Sequence, residues 1–242
     1  MLEINKIYLG DCLKKMQEID DKSIDFICTD LPFEVTSRNS WDFIIPFDKL
    51  WEQYERIIKN NGCIALNAIQ PFTSKLVCSN LNLFKYELIW RKQQGTGFLN
   101  AKKQPLRNHE SILIFYKNQP IYNPQFTEGK PYKCKSGRAS MNYREQISVI
   151  TENNGKRYPL TVLDFSYDKN KLHPTQKPIL LIEYLIKTYT NENDLVLDSC
   201  AGSFTTAIAC DNLNRNWICI EKEQEYCNIG LIRINNNQHL LM

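Results

Sequence analysis

Histidine is scarce in this 242-residue sequence, which has only His109, His173 and His239. Nine cysteines are present, but they are scattered and no Cys-x-x-Cys pair occurs. With so few imidazoles and no paired thiols, a zinc or iron site has little to build on, and no metal is expected. The odd cysteine count, with several in apolar stretches such as IDFICTD and GCIALNA, reads as reduced core thiols rather than a disulfide framework. No apolar run approaches the ~18 residues that would span a bilayer. The opening residues MLEINKIYLGDCL lack the basic-then-apolar order of a secretory leader. Internal repeats and low-complexity tracts are also missing. Together these absences predict a cytoplasmic globular chain, long enough for one domain with a substantial core and a smaller insertion.

Net charge is modest, +3, but unevenly spread. Residues 91–109 hold five Lys/Arg and no Asp/Glu, and residues 118–172 hold nine Lys/Arg against five Asp/Glu. The remainder is therefore acidic. An acidic body with two basic segments suits a nucleic-acid binder, although solvated loops account for such segments equally well on charge alone.

Strand-like and helix-like stretches alternate. SIDFICTD, GCIALNA, YELIWRK and ESILIFYK read as strands from their apolar, β-branched and aromatic content. FDKLWEQYERIIKNNG reads as a helix with Leu50, Trp51, Tyr54, Ile57 and Ile58 on one face and Gly62 closing it. PFTSKLVCSNL and PILLIEYLIKTYT read as helices with Pro71 and Pro178 near their starts. NDLVLD and WICIEKE are buried strands, each followed by a helix. This βαβ order predicts an α/β fold, a mostly parallel twisted sheet with helices on both faces. Residues 118–172 differ: turn formers, Lys/Arg and tyrosines with weak periodicity predict an irregular basic insertion. The expected division is 1–117, then the insertion 118–172, then 173–242.

Two places carry chemistry. In LDSCAGSFTTAIAC a strand ends at Asp198, a turn holds Gly202 and a helix follows, offering free N–H groups to a ligand. The next strand ends in Glu221, where nucleoside-binding α/β folds keep an acidic ligand for ribose hydroxyls. Earlier, the strand SIDFIC runs into Asp30-Leu31-Pro32-Phe33. Each pattern alone is matched by an ordinary strand-ending turn.

Jointly they resemble the amino-methylating DNA methyltransferases. VLDSCAGSFTTAIAC with CIEKEQEY is similar to that family's DPFAGSGTT cofactor motif and the acidic motif after it, and HPTQKP at 173–178 matches the segment preceding it. Asp30-Leu31-Pro32-Phe33 stands where the family usually has DPPY. The catalytic motif comes first, a basic segment next and the cofactor motif last, as in the permuted β group. The likeness covers nearly the whole chain but gives no motif in 118–172. It implies a Rossmann-like methyltransferase fold and S-adenosylmethionine as cofactor. Asp198, Ala201, Gly202 and Ser203 would surround the methionine part, with Asp30, Thr205 and Lys222 close by. Glu221 would hold the ribose, Asp11 would lie by the cofactor adenine, and His173, Thr175 and Lys177 would close over the site. As an ordinary helix N-cap Asp11 would look the same.

The implied reaction is methylation of adenine N6 in a base flipped out of double-stranded DNA. The amine lone pair is delocalised into the ring, so two acceptors on its N–H bonds are needed to draw it out of plane. Asp30 and the Leu31 carbonyl suit that, Pro32 stiffens the turn, and Phe33 offers a stacking face worth ~1–3 kcal/mol. Trp41, Lys102, Lys103 and Arg107 are candidate DNA contacts, and Arg138, Arg144 and Arg157 candidate base readers. Relatives of the permuted group are often dimers, which makes a homodimer an expectation, and the sequence leaves open whether a cognate restriction endonuclease accompanies the protein. Alternatives are cytosine N4 or RNA adenine as target, or an inactive DNA-binding subunit. Leu31, and Phe204 at a position the family fills with Gly, are the departures that support the last of these.

Overall fold

The computed structural model describes residues 2–34, 43–136, 149–168 and 176–241. It divides into a larger unit, Met1–Asn123 with Thr161–Met242, and a smaller unit, Pro124–Leu160. The first part of the larger unit carries β1 (Lys6–Leu9), α1 (Cys12–Met16), β2 (Ile24–Asp30), α2 (Phe47–Ile57), β3 (Ile58–Ala68), α3 (Phe72–Ser79), β4 (Phe84–Thr96) and β5 (Arg107–Phe115). The smaller unit holds two antiparallel pairs: β6 (Thr127–Glu128) with β9 (Lys156–Arg157), and β7 (Tyr132–Ser136) with β8 (Val149–Asn153). The chain then returns as β10 (Val162–Asp164), α4 (Ile179–Tyr189), β11 (Leu195–Asp198), α5 (Thr205–Asn212), β12 (Asn216–Glu221) and α6 (Gln224–Leu241).

The large sheet has the order β1-β12-β11-β2-β3-β5-β4-β10. Every neighbouring pair is parallel except the two involving β5, which alone runs against the rest. This is the mostly parallel α/β sheet that the βαβ order predicts. One face is covered by α1, α2 and α3 through Met16, Leu50, Tyr54, Phe72 and Leu76. The other is covered by α4, α5 and α6 through Leu181, Leu185, Ile208, Cys227 and Ile234. Cys28, Cys63, Cys210 and Cys219 are buried and unbridged, so they act as small core hydrophobes. No helix among the described residues is long and apolar enough to cross a membrane.

The structure corrects three local readings. Helix α2 stops at Ile57, and Ile58 to Gly62 already belong to β3, with Ile58 opposite Ile24. Gly62 is therefore no helix cap. A Cβ there would stand 2.7 Å from the Ile58 side chain and 2.9 Å from the Asp25 carbonyl oxygen, so glycine allows a close strand approach at an irregular register. Second, β10 lies inside the stretch read as irregular, because three residues are too short for a period to show. It pairs with β4, and Arg91 clamps Asp164 through both carboxylate oxygens. Third, residues 118–123 also pack with the larger unit, where the Asn123 side-chain amide donates to the Lys187 and Thr190 carbonyls at the end of α4.

Candidate active site

Strand parity builds the site. On the sheet face that carries α4 to α6, each strand places apolar residues two apart and then ends in a polar one. The series are Trp217, Cys219, Glu221 on β12; Val196, Asp198 on β11; Phe26, Cys28, Asp30 on β2; and Cys63, Ala65, Asn67 on β3. On β4 the series is Leu88, Trp90, Lys92. Strand β5 runs the other way and begins its series with Glu110 before Ile112 and Ile114. In sheet order Glu221, Asp198, Asp30, Asn67, Glu110 and Lys92 thus form a polar row along the carboxyl edge. All six line one cavity of about 560 Å³, within the usual range of small-molecule sites.

The Asp198 end of the row is held by short-range donors. Asp198 accepts from the Cys200 N–H at 3.2 Å and the Thr206 hydroxyl at 2.6 Å. Burial pushes its carboxyl up to about 7. Glu221 accepts from the N–H groups of Gly202 at 2.7 Å and Glu223 at 2.8 Å, and burial raises it too. Asp11 caps α1 by accepting from Lys14 N–H at 3.1 Å, and it lines the same cavity. The turn between Asp198 and α5 is tied down from several sides. Ala201 N–H reaches the Ile220 carbonyl at 2.9 Å, and Arg233 of α6 donates to the Ser203 carbonyl. Ser199 shares a 2.7 Å hydrogen bond with Tyr54 of α2, and its N–H donates to Thr29 of β2 at 3.1 Å.

Phe204 sits in this turn at φ 60°, the left-handed conformation that explains a family preference for glycine. Its side chain is fully buried and does not line the cavity. A Cβ added to Gly230 of α6 would stand 2.1 Å from the Phe204 ring. The bulk of Phe204 therefore fills space left by a glycine on the neighbouring helix and does not enter the cavity. Gly202, at φ 49°, has nothing within 4 Å of where a Cβ would be, so the cavity wall is bare backbone there.

The Asp30 end of the row is held by cations. Lys177 donates to Asp30 Oδ2 and lies 3.4 Å from Glu110 Oε2, and Lys92 donates to Glu110 Oε1. Asp30 Oδ1 is shut off from solvent with no partner among the described residues, as is Asn67 Oδ1 on the next strand. Burial raises the Asp30 carboxyl, and the Lys177 charge opposes that rise. The Lys177 ammonium is raised, since the two carboxylates outweigh its burial. Leu31 turns its side chain into the core, Pro32 and Phe33 line the cavity, and the Phe33 ring packs 5.2 Å from that of Phe72.

The row thus gathers Asp11, Asp30, Leu31, Pro32, Phe33, Lys177, Asp198, Ala201, Gly202, Ser203, Thr205, Glu221 and Lys222 around one cavity. Lys92, Asn67 and Glu110 join them without having been singled out in the sequence. A lysine at the end of the apolar run YELIWRK, and a glutamate opening ESILIF, were the available signals. Arg107 lines the cavity too, whereas Lys102 and Lys103 are exposed in the β4–β5 connection. In the smaller unit Arg157 is committed locally, to Asn153, the Lys130 carbonyl and the Tyr132 ring at 4.7 Å. Trp41, Arg138, Arg144, His173 and Thr175 lie outside the described residues.

Residues 24–231 match the family model described as DNA methylase, which covers N6 and N4 methyltransferases. The chain belongs to this DNA methylase family. Among its relatives, the type II methyltransferase M1.MboII of Moraxella bovis is 29% identical over 94% of this chain and 95% of its own length. The DNA adenine methyltransferase YhdJ of Escherichia coli K12 is 29% identical over 98% of this chain and 85% of its own. The solved M1.HpyAVI complex with SAM is 26% identical at a TM-score of 0.63, covering 94% of this chain and 98% of that one. The cytosine-N4-specific PvuII DNA methyltransferase has a TM-score of 0.70 at 16% identity, covering 97% and 91%, a likeness of fold alone. The enzyme thus has the Rossmann-like fold of these methyltransferases.

Proposed function

We propose that this enzyme transfers the methyl group of S-adenosylmethionine to the N6 amino group of an adenine turned out of double-stranded DNA. The observation that carries the reading is Asp30 on the cavity wall, with one carboxylate oxygen held by Lys177 and the other buried with no partner among the described residues. The cavity fits the cofactor. Glu221 has one backbone N–H on each carboxylate oxygen and lone pairs left for two ribose hydroxyls. The open wall at Gly202 admits close approach of the methionine part, alongside Ala201, Ser203 and Asp198. Asp11 then serves the adenine side.

When bound, S-adenosylmethionine supplies an electrophilic methyl group on a sulfonium. Asp30 Oδ1 accepts one amine N–H of the target base and the Leu31 carbonyl the other, which frees the nitrogen lone pair to point at the methyl carbon. Pro32 stiffens that turn, and Phe33, backed by Phe72, offers a stacking face for the base. Lys177 keeps Asp30 ionised and oriented before reaction, while Glu110 and Lys92 hold Lys177 in turn. The bound cofactor would supply the methyl group and take back the bonding electron pair as a neutral thioether, and Asp30 would take the proton that the methylated amine gives up. Alignment in a dry, preorganised pocket supplies most of the acceleration. Leu31 and Phe204 have structural accounts that leave this chemistry intact.

The test is labelled S-adenosylmethionine with mixed-sequence duplex DNA, followed by nucleoside analysis, with an Asp30→Ala control. Label in N6-methyladenine that falls at least ~10²-fold in the control is expected. Label in N4-methylcytosine would refute the base assignment. No label, with no cofactor binding, would sink the whole reading. The same reading makes double-stranded DNA the partner and the cytoplasm the location. The type II names of the relatives favour a cognate restriction endonuclease as a partner, and a homodimer is carried in the proposal by the family resemblance alone.

A further inference from the structure

The connection between β4 and β5 leaves from the carboxyl edge of the sheet, where the cavity opens. Thr96, the last residue of β4, and Arg107, the first of β5, both line that cavity, and the Thr96 hydroxyl donates to the Arg107 carbonyl at 3.1 Å. Between them the chain makes an ordered tip. Gly97 turns at φ 86°, and Phe98–Asn100 form one 3₁₀ turn. That turn is closed by Asn100 N–H to the Gly97 carbonyl at 2.9 Å and Ala101 N–H to the Phe98 carbonyl at 3.0 Å. Two large apolar side chains stand on this tip in solvent, Phe98 80% and Leu99 98% exposed. Leu99 is the most exposed large hydrophobic residue among those described.

We infer that this tip is a wedge that enters the DNA duplex beside the target base, Phe98 and Leu99 taking up the stacking that the base gives up on leaving. The inference rests on the base-flipping reading above. Three observations favour DNA as the occupant. The residues that follow the tip are basic: Lys102, Lys103 and Arg107 stand in a stretch, residues 91–109, that has no acidic side chain, which suits phosphates. An apolar pair beside basic side chains is the chemistry by which side chains part base steps while lysines and arginines hold the backbone. The tip also springs from the rim of the cavity that would receive the extruded base, so one approach of the duplex serves both. A second copy of this chain is a poorer occupant. A symmetric contact would set basic flank against basic flank.

The test uses the full enzyme with Phe98→Ser and Leu99→Ser combined, both on an exposed turn. Duplexes carrying the mapped methylation site are compared with the same duplexes bearing an abasic site opposite the target adenine, where the base is already unpaired. A third set places 2-aminopurine at the target, so that its fluorescence reads unstacking without any methyl transfer. The expected result is kcat/KM down about 10-fold or more on intact duplex. On the abasic duplex the drop should be under about 3-fold, with the 2-aminopurine signal lost and cofactor affinity unchanged. An equal loss on both duplexes, no loss on either, or conversion of a dimer into monomers would overturn the wedge. Should the wild type methylate no DNA, no site can be mapped and the methylation reading fails by itself; 2-aminopurine is then placed at the adenines of a mixed-sequence duplex instead. The 2-aminopurine signal then still decides the wedge, its dependence on Phe98 and Leu99 supporting the inference and its independence refuting it.

Discussion

The two ends of the polar row solve the same problem differently. At β11 and β12, Asp198 and Glu221 take neutral donors, backbone N–H groups and one hydroxyl, all from residues 200–223. At β2 and β5, Asp30 and Glu110 take ammonium groups, and Lys177 reaches Asp30 from 147 positions away in sequence. Neutral donors fix a carboxylate without cancelling its charge, which suits gripping hydroxyl and amino groups. Cations fix it and also keep it ionised while buried, which suits an acceptor that must meet an amine in a dry site. Under the proposed function, binding and chemistry are thus separated along one sheet edge by the kind of partner each acid has.

Breaking the cationic end should have the largest effect. In Lys177→Met, two buried carboxylates lose a shared counter-charge, for an expected loss of about 3–5 kcal/mol in urea unfolding. The Asp30 carboxyl then rises further, so the acidic limb of the kcat–pH profile should move to higher pH. Glu110→Gln should move that limb the opposite way, because the Glu110 charge now raises Asp30. If both variants moved the limb in one direction, Asp30 would not be the group that titrates.

Next comes the neutral-donor end. Glu221→Ala should weaken cofactor binding by about 1.5–3 kcal/mol, or ~10–150-fold, measured by calorimetry. At saturating cofactor its kcat should change little and its acidic limb not at all. A moved limb would show that the two ends are not separable.

Packing beneath the cofactor turn offers a sharper, smaller test. Gly230→Ala should cost about 1–3 kcal/mol by driving a methyl into the Phe204 ring. In a Phe204→Gly background the same change should cost well under that, and a double-mutant cycle on unfolding measures the difference. Additive effects would mean that Phe204 and Gly230 are not matched.

A last test concerns Asp198, whose effect shows only as a dependence on pH. Its carboxyl is raised from 3.8 to about 7 by burial, so its folded form holds a proton more tightly than its unfolded form. That contribution to stability is fully present below pH 3.8 and is lost as pH rises through about 7. Asp198→Asn should remove this slope, visible as a smaller fall in Tm between pH 5 and pH 8. An unchanged fall would mean that Asp198 is ionised throughout.

Much of this was legible because it is local. Asp198, Gly202 and Glu221 lie in one strand–turn–helix–strand stretch, and their partners lie there too. A run such as SIDFIC must be a buried strand, so Asp30 at its end must stand at a sheet edge. The alternation of strands and helices demanded a mostly parallel sheet with two covered faces. The sequence could not say which distant lysine meets Asp30, since ion pairing depends on strand order and on a loop 147 positions on. Nor could it show that Glu110 and Lys92 share one row with Asp30, because β5 runs antiparallel and its opening half lies beside the closing half of β4, with Glu110 opposite Trp90. Likewise the side on which the Phe204 ring would lie was decided by a glycine one helix away. Sequence by itself determined the elements and the chemistry carried at their ends, through periodicity and short-range hydrogen bonding. Only the tertiary structure decided partners and directions, because strand order and helix packing bring together residues that no local pattern relates.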